Sequence, residues 1–286
     1  MFKSAIAAAA LAVTGLAHAF VPQAGTWVIS EELNGAPGRG FAMDVQNDTV
    51  VMQVYAYEKS GQPTFYMATG HLGDNNIVET KLGRYEGGRY LGSGPQIGVE
   101  RGSPGTVRIR FVNGTLGYIT LPGEAEKEIK RFQFGYDNTP QSLLGLWSVV
   151  YANEAGKIEH DPMELTRVSQ GSSFSNGMAV SYDGLFACEQ IIRGNDTGKT
   201  QCVKFRSSSS SESVRGFWMT WSVNSGEGDW RNTNSSGNGA VYANRLMQQS
   251  GRITGVLRQV AEDAKPTQAN NDAALRAALE AQAASR

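Results

Sequence analysis

The sequence predicts an all-β protein: two antiparallel β-sandwich or barrel-like domains, followed by a short C-terminal tail that is helical or disordered. Three observations carry this. Glycine is abundant, at 34 of 286 residues, against a usual share of about 7%. Most of these glycines separate short runs rich in Val, Ile, Thr and aromatic residues, the pattern of strands joined by tight turns. Gly-x-Trp also opens a strand-like run twice, as GTWVIS from Gly25 and GLWSVVY from Gly145.

The N-terminus, MFKSAIAAAALAVTGLAHA, has one cation at Lys3, an apolar run, and Ala17-His18-Ala19. Those are the three regions of a secretory signal peptide, so residues 1–19 are expected to be removed. No later segment is apolar enough to span a membrane as a helix. The expected location is secreted or periplasmic, in contact with the cell surface. The first β domain then covers 20–136 and the second 137–262, with the polar GYDNTPQS at 135–142 as linker. The tripeptide VYA recurs at Val54, Val150 and Val241, a repeat too short to argue duplication.

In the first domain, VYAYEKSGQPTFYMATG (54–70) reads as a hairpin. With its turn at 58–63, Tyr57 opposes Thr64, Ala56 opposes Phe65 and Tyr55 opposes Tyr66. Side chains alternate between the faces of a sheet. Val50, Met52, Val54, Ala56, Phe65 and Met67 then form a core face, and Gln53, Tyr55, Tyr57, Thr64 and Tyr66 an amphipathic one. Clustered tyrosines suit a flat ligand, stacking on it and hydrogen bonding through their hydroxyls. Tyr55, Tyr57 and Tyr66 are therefore candidate ligand-binding residues. The same row would also serve as a plain half-exposed sheet surface. Further on, Asn113-Gly114 is a strong hairpin signal and pairs Phe111 with Leu116 and Ile109 with Tyr118.

Together, Gly25-x-Trp27, the stretch GRGFAMDVQNDTVVMQVYAYEKSGQPTFYMATG, GTVRIRF and the closing IKRFQFG resemble a β-rich domain family of secreted bacterial proteins. That family carries G-x-W and Y-x-x-x-G-x-P-x-W-Y motifs. Here the second motif runs from Tyr57 to Tyr66 with Phe65 in place of the tryptophan. The resemblance covers the first domain alone, and the family has no assigned activity. It implies a secreted β module and no reaction.

In the second domain, Cys188 and Cys202 flank EQIIRGNDTGKTQ, whose central N-D-T-G is a turn. A hairpin there sets the cysteines opposite each other, and a disulfide is expected in an oxidising compartment. GNDTGKT lacks one residue of a phosphate-binding loop and reads as that turn. In GFWMTWSVNSGEGDW, alternation places Phe217, Met219 and Trp221 on one face. Trp218 and Trp230 are then candidates for an exposed aromatic platform, with core packing as the plainer alternative. From Ala261 the chain is Ala-rich. Asn271 can cap a helix to about Ala284, with Leu275 and Leu279 on one narrow face.

Catalytic groups are sparse. Lys plus Arg number 26 and Asp plus Glu 27, so no broad field attracts nucleic acid. His71 and His160 have no neighbours at metal-ligand spacing, and no metal or cofactor is expected. The carboxylates at Glu31-Glu32, Glu86, Glu124-Glu126-Glu128, Glu159, Asp161 and Glu164 are scattered. Those around His160 read as a solvated turn, and the loops at 74–76 and 229–234 match no calcium motif. The chain reads as a non-catalytic binding or interaction module, with carbohydrate or a surface protein as partner. A polysaccharide or peptidoglycan hydrolase is the first alternative. A structural subunit self-associating through a strand edge or the tail is the second.

Overall fold

The computed structural model describes residues 21–73, 75–207, 212–234, 236–251 and 272–285. The expected signal peptide and the Asn271 cap lie outside them. Alternating apolar and polar side chains, broken by glycine-rich turns, build the first domain from β1 (Gly25–Ile29), β2 (Gly40–Gln46), β3 (Thr49–Tyr57), β4 (Pro63–His71), β5 (Ile77–Glu86), β6 (Val99–Glu100), β7 (Gly105–Asn113), β8 (Leu116–Thr120) and β9 (Lys127–Arg131). Eight of these strands form an antiparallel ring in chain order. β9 closes onto β1, β4 meets β5, and the two-residue β6 hangs on β5. The β4–β5 seam is narrow, joined at Tyr66↔Arg84 and Met67↔Gly83.

The second domain contains β10 (Gly145–Asn153), β11 (Ile158–Ser169), β12 (Met178–Ser181), β13 (Phe186–Gln190), β14 (Thr200–Phe205), β15 (Ser213–Ser222), β16 (Ser225–Asn232) and β17 (Asn238–Gln248). They close into a barrel, β17 onto β10. Closure of this kind removes the free edges that invite strand addition.

Each barrel is filled along its axis by inward side chains. Trp27, Phe41, Met52, Ile109, Phe111 and Ile129 are buried in the first. Trp147, Tyr151, Met163, Phe217, Trp221 and Trp230 are buried in the second, together with Cys188 and Cys202. The cysteines are register partners and form a disulfide.

The two barrels begin and end alike. Gly25 and Gly145 both take positive φ, +127° and +130°, a region unfavourable to residues with a Cβ. Trp27 Nε1 donates to the Gln23 carbonyl at 3.0 Å and Trp147 Nε1 to the Leu143 carbonyl at 2.8 Å, four residues back in each case. Across the closing ladder Trp27 faces Arg131, and Trp147 faces Arg245. The Gly-x-Trp repeat marks a repeated architecture. VYA does not: Tyr55 points out of its barrel, whereas Tyr151 is buried inside its own.

Two hairpins differ in register from the sequence expectation. The β3–β4 loop is one residue tighter, held by the Glu58 and Gly61 N–H groups donating to the Gln62 and Glu58 carbonyls. Tyr57 therefore faces Pro63, Tyr55 faces Phe65 and Val54 faces Tyr66. A one-residue shift exchanges the faces of a strand. Phe65 is thus outward, and Tyr66 turns in against the core. In the β7–β8 hairpin, Asn113 faces Leu116 and an irregularity follows Phe111, so Ile109 pairs with Ile119. Arg110 then meets Tyr118, its guanidinium 4.4 Å from the ring centroid.

The tail folds back on its own chain. Helix α1 (Asp272–Ala284) buries Leu275 and Leu279 on the outer wall of the second barrel, against Met178, Val180, Ala187, Val203 and Phe205. Arg167 and Ser169 hold Asp272 at its start, and Ser173 holds Glu280. The apolar stripe expected to mediate self-association is therefore already covered.

The linker joins the barrels side chain by side chain. Tyr136 donates to Asn224 Oδ1 at 3.2 Å and accepts from Gln248 Nε2 at 3.0 Å. Gln133 Oε1 accepts from the Val223 N–H at 2.9 Å. At the β7–β8 turn the Gly114 N–H donates to Glu227 Oε1 of β16 at 2.5 Å.

Candidate binding face and the polar barrel mouths

The tighter β3–β4 turn changes the composition of the aromatic row without removing it. Tyr55, Tyr57 and Phe65 stand on the outer wall of the first barrel, 54%, 50% and 45% exposed. Tyr55 and Phe65 are directly opposed. The Tyr66↔Arg84 pairing brings Tyr85, 39% exposed, next in line across the β4–β5 seam. Gln53 steadies one end by accepting the Tyr55 hydroxyl proton at 3.3 Å. The four rings form one band across three strands, and the three tyrosines carry hydroxyls at their tips. Tyr66, half-buried beneath it, contributes to the barrel packing and not to this surface.

Trp218 and Trp230 do not extend the row. Trp230 lies within the core of the second barrel, its Nε1 donating to the Ala152 carbonyl at 3.2 Å. Trp218 points outward as alternation requires but is 2% exposed, with the Arg231 guanidinium 4.6 Å from its ring centroid. An arginine laid over a tryptophan face contributes about 1 kcal/mol, so this ring is engaged within the chain.

The acidic cluster near His160 is a strand, not a turn. His160 faces outward and shares a hydrogen bond with Ser148 at 2.9 Å. Asp161 and Glu159 face the opposite way, at the mouth of the second barrel. Lys204 reaches Asp161 at 2.6 Å, and Arg215 reaches Glu159 at 2.7 Å. Arg215 also sits over the Tyr151 and Trp230 rings at 4.3 and 4.4 Å. Its hydrogen bond holds the Glu159 carboxyl at about 2, well below the usual range. Below these ion pairs burial pushes the Tyr151 phenol far up, and the neighbouring Asp161 carboxylate pushes it the same way.

The first barrel has a parallel arrangement at its own mouth. Arg39 bonds both Glu32 and Glu124, and Lys127 approaches Glu31 at 2.7 Å. Hydrogen bonding to Arg39 lowers both Glu32 and Glu124. A general acid needs a carboxyl raised toward neutrality; these are driven the other way. His71 is exposed beside Asp48 at 3.4 Å. Among the described residues no group of three or more His, Cys, Asp or Glu could hold a metal ion.

Three polar groups escaped the sequence reading because each looked like ordinary strand sequence. Glu189 is fully buried on the outer wall beneath the 170–177 loop, accepting from Ser172 N and Oγ, Ser175 Oγ and Gln201 Nε2. Arg245 is buried between Trp147, Trp221 and Tyr136 and donates to the Leu144 and Ser142 carbonyls at 2.6 and 2.5 Å. Desolvation lowers its pKa to about 10. Gln190 closes β13 with a buried amide.

Comparison with known proteins adds no assignment: no protein-family model, curated protein or solved structure matches this chain. The fold and site define a tandem β-barrel protein with a disulfide in its second barrel. Among its described residues no helix is long and apolar enough to cross a membrane.

Proposed function

We propose that the protein is a secreted, non-catalytic binding module whose ligand face is the outer aromatic band of the first barrel, with carbohydrate as the ligand class. The supporting observation is the exposed, opposed pair Tyr55 and Phe65, continued by Tyr57 and Tyr85. A row of rings on a rigid sheet stacks on the apolar faces of sugars, and tyrosine hydroxyls bond the rim. The expected leader and the disulfide fit a periplasmic or extracellular setting, and the motif resemblance of the first barrel points to the same compartment. Surface proteins are the other partner class such a band would serve.

The hydrolase alternative is less well supported. A glycosidase needs one carboxyl acting as acid and a second placed across the bond. Glu159, Glu32 and Glu124 are each neutralised by a cation and held low. Assembly through a strand edge or the tail loses its expected contacts to barrel closure and to the docking of α1.

A thermal-shift screen of the chain against soluble glycans and peptidoglycan fragments tests the proposal. A ligand at about 100 times its dissociation constant adds about 2.7 kcal/mol, a rise of several degrees for domains of this size. The expected result is a shift that Tyr55→Ala abolishes. A shift that survives Tyr55→Ala and Tyr57→Ala together would move the site elsewhere.

A further inference from the structure

Beside the linker, the closed end of the second barrel and the last strands of the first enclose a cleft of about 800 Å³. Leu116, Lys130 and Phe132 line it from the first barrel, and Gln190, Trp221 and Ser222 from the second. Gln190 is 5% exposed and Ser222 is buried, yet neither the Gln190 Oε1 nor the Ser222 hydroxyl has a hydrogen-bond partner. A buried polar atom left unsatisfied is costly, so two in one cleft call for a donor from outside the chain. The cleft's charges are unevenly engaged. Lys199 is neutralised by Asp196 at 2.7 Å, whereas Lys130 makes no ion pair among the described residues. Arg131 spends its N–H groups on the Ala24, Thr26 and Phe132 carbonyls and keeps its positive charge. Glu128 and Asp137 sit at the exposed rim.

These groups restrict the ligand. An amide oxygen that lacks a donor rejects a bare inorganic anion and requires O–H or N–H groups. Lys130 and Arg131 disfavour a cation and favour a carboxylate. Phe132 and Leu116 offer an apolar wall. We propose that the inter-barrel cleft is a second binding site, independent of the aromatic band, that takes an acidic sugar. In it a sugar hydroxyl donates to Gln190 Oε1, Ser222 bonds a second ring oxygen, and Lys130 pairs with the carboxylate. Sites between domains, with apolar walls and a few convergent polar groups, are the usual setting for small ligands.

Isothermal titration calorimetry on the full chain tests this, with galacturonic, glucuronic and N-acetylneuraminic acids against neutral galactose and glucose. At least one acid should bind, with every neutral sugar tenfold weaker or more. Lys130→Gln and Gln190→Leu should each weaken the acid at least tenfold. Gln190→Leu should also melt no lower than the parent, because it removes an unpaired oxygen. If that variant does not fold, the surface change Lys130→Gln decides alone. Tyr55→Ala with Tyr57→Ala should leave this binding unchanged, which separates it from the band on the first barrel. No binding by any of the three acids, equal affinity for neutral sugars, or an unchanged constant in Lys130→Gln would overturn the proposal.

Discussion

Both barrels seal one end with the same device, a tryptophan on the first strand facing an arginine on the last, and they use it differently. Arg131 is half-buried and spans the backbone beside Gly25, donating to three carbonyls that water can also reach. Arg245 lies 4.3 Å over Trp147 and 4.7 Å from the ring of Tyr136 in the linker, and answers two carbonyls out of reach of solvent. The same frame is a clasp open to water in the first barrel and a buried plug in the second. Burial and the rings packed on it set the second arginine apart from the first.

The largest effect should come from removing the plug. Arg245→Met strands the Ser142 and Leu144 carbonyls and is expected to cost about 3 kcal/mol or more, while Arg131→Met costs about 1 kcal/mol. Guanidinium denaturation followed by calorimetry and by tryptophan fluorescence compares them. Equal losses would show that the two ends are equivalent after all.

Reducing Cys188–Cys202 should act on the second barrel alone. The cysteines are 14 residues apart in sequence, and freeing a loop of that size costs about 3 kcal/mol. Four of the five tryptophans lie in this barrel, so the fluorescence midpoint should fall with reductant while the first barrel melts as before.

Smaller effects separate the docked helix from the inter-barrel joint by their response to pH. Hydrogen bonds from Arg167 and Ser173 hold Asp272 and Glu280 below their ordinary values. Their contribution is whole above the ordinary carboxyl range and is lost as pH falls through the lowered values. Proteolysis of the tail should therefore accelerate on acidification below about pH 4. Glu227 at the joint is raised, chiefly by desolvation, against the opposing Gly114 N–H. Its contribution is whole below the ordinary value and fades as pH rises through the raised one. Glu227→Gln should flatten the stability difference between pH 4 and pH 7 and leave tail proteolysis unaltered.

The smallest effect on stability is predicted for the proposed binding face. Tyr55→Ala and Tyr57→Ala remove exposed side chains, and each should shift unfolding by about 0.5 kcal/mol or less. A larger loss would make those rings structural.

Glycine spacing and alternation made both all-β domains legible, and symmetry about N-D-T-G made the cysteine pairing legible. The Gly-x-Trp repeat held the architecture because it reports a backbone need, a positive φ beside a closing arginine. Barrel closure was not legible: the Trp27–Arg131 and Trp147–Arg245 contacts join strands about a hundred residues apart. Register failed by one residue at the β3–β4 turn, since five loop residues and six are equally plausible in EKSGQP. That one residue exchanged Tyr66 for Phe65 in the candidate face. The tryptophans misled for a related reason. Alternation told Trp218 from its neighbours, but Arg231, which covers it, stands on the next strand.

Affinity electrophoresis through gels containing soluble polysaccharides measures carbohydrate binding by the intact chain. At least one polysaccharide should retard the protein, and Tyr55→Ala with Tyr57→Ala should restore free mobility without lowering the melting temperature. Retardation that the double variant retains in full, or none with any polysaccharide, would contradict a carbohydrate site on the aromatic band.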